Sequence, residues 1–184
     1  MAALVAALVV EATDRTPWLI AVLADRFEKR GTVIFAALLA LAAGFALVAT
    51  GGALIGARLI PEARQLFLAV ALINAGVTAF FPIKPPDRLD GWRLGAAATT
   101  FFGVFILAFG GRTQFIVMAL AERGAQPALA AIGATLGAIA VVVPAALSGE
   151  AVRRTLPITA LRIVTGVVLT VTGAILALGG LRLI

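Results

Sequence analysis

Residues 11–16 read Glu11-Ala12-Thr13-Asp14-Arg15-Thr16, in the middle of an apolar run from Ala2 to Ala24. Three charged side chains at the centre of a segment long enough to cross a bilayer are costly, and membrane proteins keep them where partners inside a bundle satisfy them. On a helix, Glu11 and Asp14 share a face, and Arg15, four residues after Glu11, is placed to pair with it. Such a cluster reads as an ion or substrate site, so what faces it decides both fold and function.

The composition supports a membrane setting. Of 184 residues, 62% are hydrophobic and 13% charged, and the mean hydropathy is +1.10. A soluble domain is about half apolar and about a quarter charged. The chain therefore reads as an all-α integral membrane protein, with 1–184 forming one transmembrane domain. It has no Cys, which excludes disulfides and thiolate metal sites. It has no His, which removes the usual neutral-pH proton carrier and the commonest transition-metal ligand. Proton coupling must then use carboxylates, and a metal site must be built from oxygen. The net charge of +6 comes from basic residues set singly at segment ends, which fits a lipid bilayer and not nucleic acid. The excess of Arg over Lys, with abundant Ala and Gly, points to a GC-rich bacterial genome and an inner (plasma) membrane. The N-terminal run lacks a basic flank and carries internal charges, unlike a cleaved signal peptide.

Six apolar segments follow, at 2–24, 31–58, 64–83, 92–121, 126–148 and 157–181. The longest polar break, from Pro82 to Gly91, divides them three and three. A helix over all of 92–121 would be about 45 Å long, against a hydrocarbon core of roughly 30 Å. Gly110-Gly111 is where it should bend, and Trp92 suits the interfacial belt. Pro17 and Pro144 should kink their helices. The first, third and fifth loops hold Arg26, Lys29, Arg30, Lys84, Arg88, Arg93, Arg153 and Arg154, and the other side holds Arg58, Arg64, Arg123 and Arg182. The basic excess places the first group in the cytoplasm and both termini on the non-cytoplasmic side.

The chain also repeats itself. A shift of 97 residues lays Arg15-Thr16 on Arg112-Thr113 and Ala24-Asp25-Arg26 on Ala121-Glu122-Arg123. Between them, Trp18 meets Phe115, Ile20 meets Val117 and Leu23 meets Leu120. Each half, 1–83 and 92–184, has three spans, so the second copy enters the membrane upside down. This is the inverted repeat of many secondary transporters, whose site lies near the midplane between the copies. It would bring residues 110–114 opposite residues 11–16.

A three-plus-three repeat of this size, with a Glu-x-Gly-Asp-Lys/Arg-Ser/Thr motif in the first and fourth spans, resembles the calcium/manganese cation–proton antiporter family. That family includes the Golgi manganese transporters and belongs to the wider lysine-exporter-like superfamily. The first motif stands here as Glu11-Ala12-Thr13-Asp14-Arg15-Thr16, and the second as Ala108-Phe109-Gly110-Gly111-Arg112-Thr113-Gln114. The second copy has Ala108 where the family has Glu and Gly111 where it has Asp. The resemblance implies Glu11 and Asp14 as acidic ligands of a divalent cation, Thr16, Thr113 and Gln114 as neutral ones, and no cofactor. Gly110 and Gly111 would admit backbone to the ion or open the helix.

The charges leave two accounts open. Glu11, Asp14, Arg15 and Arg112 sum to zero when ionised, while Ca²⁺ takes six to eight oxygens, usually with several carboxylates. Glu11–Arg15 and Asp14–Arg112 pairs would form a neutral network that only locks the repeats together. The leading expectation is a secondary transporter exchanging Mn²⁺ or Ca²⁺ for protons. The alternatives are a transport-inactive or regulatory member, completed by a partner in a homo- or hetero-oligomer, and an exporter of small organic or amino-acid solutes. No nucleophile constellation or cofactor motif supports an enzyme. Asn74 and Thr78 would line a pathway or bond across helices. Thr99 and Thr100 should bond back to their own helix. The many glycines should permit close packing. Asp25 and Glu122 should form solvated ion pairs with neighbouring arginines.

Overall fold

The computed structural model describes residues 1–124, 126–155 and 157–182, with the backbone alone for 151–155. Among the described residues the chain forms helices and no strand. The helices are α1 (Ala2–Glu11), α2 (Thr16–Phe27), α3 (Arg30–Gly56), α4 (Pro61–Ala79), α5 (Gly95–Ala108), α6 (Arg112–Arg123), α7 (Pro127–Thr155) and α8 (Ile158–Gly180).

Two of the expected continuous segments are broken. The segment 2–24 stops at Glu11 because polar side chains offer the backbone other partners. Thr13 Oγ1 donates to the Val10 carbonyl at 3.0 Å, and Asp14 Oδ1 accepts the Arg15 N–H at 2.8 Å. Pro17, expected to kink a helix, instead starts α2, where its missing N–H costs nothing. The segment 92–121 breaks at Gly110-Gly111 as expected, with Gly110 at φ +73° and a bend of 69° between α5 and α6. Its helix begins at Gly95, so Trp92 lies in the preceding turn.

Among the described residues three helices, Arg30–Gly56, Pro127–Glu150 and Ile158–Gly180, are long and apolar enough to cross a membrane, and the bent α5–α6 pair makes a fourth span if counted as one. Six were expected. The α1–α2 pair is interrupted by Glu11, Asp14 and Arg15, and α4 opens on Pro61-Glu62-Ala63-Arg64-Gln65, which dilutes its apolar length.

The boundaries follow the shift of 97 residues. It carries the end of α1 onto that of α5, the start of α3 onto that of α7, and the start of α4 onto that of α8. Packing follows it too. The contacts of α1 with α7, α2 with α7, α1 with α6 and α2 with α3 are matched by those of α5 with α3, α6 with α3, α5 with α2 and α6 with α7. The self-mated pairs α3–α7 and α4–α8 also pack together. Arg162 Nη2 on α8 donates to the Ala79 carbonyl of α4 at 2.9 Å. Its mate Gln65 on α4 donates to the mate carbonyl, Leu176 of α8, at 3.1 Å.

One pairing has no match. α4 packs on α6, through Leu68, Ala71, Leu72 and Ala75 against Ile116 and Ala119. The corresponding place between α8 and α2 holds an apolar cavity of about 620 Å³, bordered by Pro17, Ala21, Pro144, Leu161 and Val164.

The main core gathers Leu19, Ile20, Leu23, Val33, Leu41, Phe45, Val104 and Val117. In a bilayer, helices associate through close packing of small residues. Gly52 lies so near the Met118 carbonyl that a Cβ there would collide with it. Leu39, Leu47 and Leu54 of α3 and Val164, Val168, Val171 and Ile175 of α8 stay exposed, as faces turned to lipid require.

Candidate functional site

The two helix breaks meet. Arg112, the first residue of α6, reaches across to the first break. Its Nη2 donates to the Thr13 carbonyl at 3.1 Å and lies 3.4 Å from Asp14 Oδ1. The expected Asp14–Arg112 pair is therefore present. The expected Glu11–Arg15 pair is not: ending α1 at Glu11 removes the helical spacing that would align the two. Arg15 is instead exposed and borders a cavity of about 370 Å³ shared with Asp14, Thr16, Arg112, Gly110 and Gly111. Asn74 and Thr78 of α4 border it as well, and Phe81 to Ile83 lie at its edge. Thr78 Oγ1 donates to the Asn74 carbonyl at 2.6 Å.

Glu11 lies behind this cavity, 2% exposed, with Thr13, Thr16, Thr113 and Gln114 equally buried. Its electrostatic neighbours are Asp14, Thr113 and Arg112. Gln114 is oriented from both ends. Its Oε1 accepts the Gly110 N–H at 3.1 Å, and its amide nitrogen sits where a Cβ on Gly44 would be. Several buried polar atoms here have no hydrogen-bond partner among the described residues: Glu11 Oε2, Arg112 Nη1, Thr113 Oγ1 and Gln114 Nε2. Buried polar atoms are satisfied in nearly all native structures, so a cluster of orphans is a feature that asks for a reason.

The helix ends add to the local field. α1 and α5 both point their C-termini at the site, and a helix C-terminus carries about half a negative charge. Against them stands Arg162, which sequence reading passed over. It is 9% exposed, and Arg112, Asp14 and Arg15 lie within its electrostatic range. Its guanidinium is held on the Ala79 and Phe81 carbonyls. A lone Arg five residues into the last apolar segment was its available signal, since such residues face a bundle interior. The site thus holds two acids and three arginines. Among the described residues there is no group of three or more acidic, His or Cys side chains able to hold a metal ion.

Three other expectations change. Thr99 and Thr100 do not bond back to their helix, and both hydroxyls are buried without a partner among the described residues. Glu122 is buried and not in a solvated pair. Asp25 bonds to backbone, accepting the Glu150 N–H at 2.8 Å. The glycines largely do what was expected: Gly44, Gly52, Gly56, Gly137, Gly166 and Gly173 all lie in close contact with neighbouring helices, while Gly51 touches nothing.

Comparison with known proteins gives two matches. A family model described as divalent cation/proton antiporter GDT1 matches residues 96–183. A Vibrio cholerae protein (serotype O1, strain ATCC 39541 / Classical Ogawa 395 / O395) described as "Putative manganese exporter" is 30% identical over 160 residues, covering 84% of this chain and 78% of that protein. No solved structure matches.

Proposed function

The chain belongs to the divalent cation/proton antiporter GDT1 family, and on that premise we propose that it exports Mn²⁺ or Ca²⁺ in exchange for protons. The relative described as a manganese exporter favours Mn²⁺. The proposal takes α1–α2, α3, α4, α5–α6, α7 and α8 as six spans in two inverted repeats, 1–83 and 92–184. The loops with Arg26, Lys29, Arg30, Lys84, Arg88 and Arg93 then lie in the cytoplasm of a bacterium, and both termini lie outside.

The observation that carries this reading is the buried Glu11 carboxyl at the end of α1, with Oε2 unpartnered and Thr113 beside it. Two states of that carboxyl solve the same burial problem. Ionised, it needs a cation; without one, it needs a proton. Binding one excludes the other, which gives exchange. Asp14, already paired with Arg112, is the second acidic ligand. Thr113 and Gln114 supply neutral oxygens, Thr16 and Asn74 line the approach, and Arg15 and Arg112 repel the ion once a proton replaces it. Gly110 at φ +73° and Gly111 let the second break form without side-chain bulk.

Proteoliposomes holding a pH-sensitive dye test this. An inward Mn²⁺ gradient should drive protons out, and Glu11→Gln should stop both fluxes. Wild-type vesicles in which no divalent cation moves protons would refute the proposal.

A second reading has its own observation. Ala108 and Gly111 replace the expected acids, and Arg162 raises the basic count at the site to three. On this reading the chain supplies half a site and works with a partner subunit, or regulates one. It predicts that purified protein alone does not transport and that Ala108→Glu confers transport; transport by the unmodified chain alone refutes it.

A further inference from the structure

Asp25 near the end of α2 and Glu122 near the end of α6 are mates under the shift of 97 residues. They are held in opposite ways. Asp25 is exposed, and its Oδ2 accepts the Glu150 N–H at 2.8 Å. That N–H is available because α7 leaves helical geometry at Gly149, with φ 72° and ψ −177°. A Cβ on Gly149 would lie 2.7 Å from Asp25 Oδ1, so glycine is required for both the dihedral and the space. Other bonds tie this end of the molecule. Arg88 pairs with Glu150 at 2.9 Å, Arg26 holds the Leu89 carbonyl at 2.6 Å, and Arg30 holds the Leu147 carbonyl at 3.0 Å.

The mates of Gly149 and Glu150 are Gly52 and Ala53, and α3 runs unbroken through them. Glu122 packs against α3 at Gly56, where a Cβ would lie 2.8 Å from its own Cβ. It is 4% exposed, and neither carboxylate oxygen has a hydrogen-bond partner among the described residues. Arg64 from α4 and Arg123 from its own helix are the charges that act on it. A buried carboxylate with no partner is costly, and one such group asks for a reason.

We propose that Asp25 and Glu122 are alternating latches that position the two ends of the transport pathway. In the opposite-facing conformation α3 breaks at Gly52, Glu122 accepts the Ala53 N–H, and Asp25 releases α7, which closes into a continuous helix. Inverted repeats generate their second state when the halves exchange conformations. The same exchange would pack α8 on α2, filling the 620 Å³ cavity, and part α4 from α6. Gly51-Gly52 weakens α3 at the required point, since glycine is a poorer helix former than alanine. The latches rest on the transport reading, and their test does not depend on ion flux.

Amide hydrogen exchange of the full chain in lipid nanodiscs reads both helices directly. Glu122→Gln should slow exchange over 50–54 by roughly threefold or more and leave 147–150 protected less often. Asp25→Asn should do the reverse. Gly51→Ala, at a position with open space around it, should mimic Glu122→Gln without a packing defect. Changes of the same sign in both segments, or none in either, overturn the proposal. Reciprocal changes in a protein that moves no ion would support the latches and refute the transport reading. Transport with no reciprocal change would do the opposite.

Discussion

The breaks at 12–15 and 109–111 hold equivalent places in the two halves and are built from opposite chemistry. In the first, side chains compete with the helix: Thr13 and Asp14 bond to nearby backbone, and Pro17 restarts the chain. In the second, Gly110 does the work through its dihedral, and the Gln114 side chain takes its N–H. Acids in the first break therefore have two tasks, shaping the backbone and presenting charge. Glycine does the first task in the second break, so that break keeps its shape with no acid in it. Fold and charge can part company in one half while the other keeps both.

Four measurements test that contrast. The largest effect should come from Glu11→Gln, which removes the buried acid at the edge of the first break. Cation-coupled proton flux should fall by about a hundredfold or more, roughly 3 kcal/mol, as for loss of a charged hydrogen-bonding group. Thermal stability should hold or rise, because Gln keeps the shape of the side chain and removes an ionisable group from a buried place. Preserved flux would mean the first break is structural only.

Arg162→Ala should come next, costing about 1–3 kcal/mol in stability because the buried Ala79 carbonyl at the end of α4 loses its donor. Arg162→Gln should recover part of that, since Gln65 makes the mate bond. Thermal melts of the two variants decide it, and equal losses would show that charge, not bonding, is what matters there.

Third, Ala108→Glu should make the second break chemically like the first. Divalent-cation affinity should rise about tenfold, or 1.4 kcal/mol, read by metal-dependent thermal shift. Its partner change, Gly111→Asp, should help less, because a Cβ there meets the Ala108 carbonyl at 2.8 Å.

The smallest effect lies outside the breaks. Arg182 bonds Glu62 at 2.6 Å and holds its carboxyl below the ordinary value of 4.5. A lowered folded value stabilises above that pH and is lost as pH falls through the folded value. The pair is solvent-exposed, so Arg182→Gln should lower the melting temperature only slightly at neutral pH, and the difference from the wild type should vanish as pH falls below 4.5.

Much of this was legible in the residues. The shift of 97 residues anticipated where α1, α3 and α4 end or begin in their second copies, because matching side chains impose matching helix limits. Gly110-Gly111 marked its break because two glycines weaken a helix wherever they stand. The break at 12–15 was missed, although Asp, Thr and Pro are the residues that divert backbone bonds; the apolar run around them hid it. Arg162 and Glu122 were missed as buried groups because burial depends on a neighbour from another helix, and α4 and α3 lie far along the chain from Arg162 and Glu122.

The sequence alone determined a helical membrane protein in two related halves, with acids at the first break and none at the second. Those properties depend on hydrophobicity, spacing and residue chemistry, which are local. Tertiary structure decided that Arg112 takes Asp14 and leaves Glu11, that Arg162 joins the site, and that α8 stands away from α2 while α4 holds α6. These depend on which helices touch, and residues 97 apart in the chain can be alike in sequence and still differ in what packs against them.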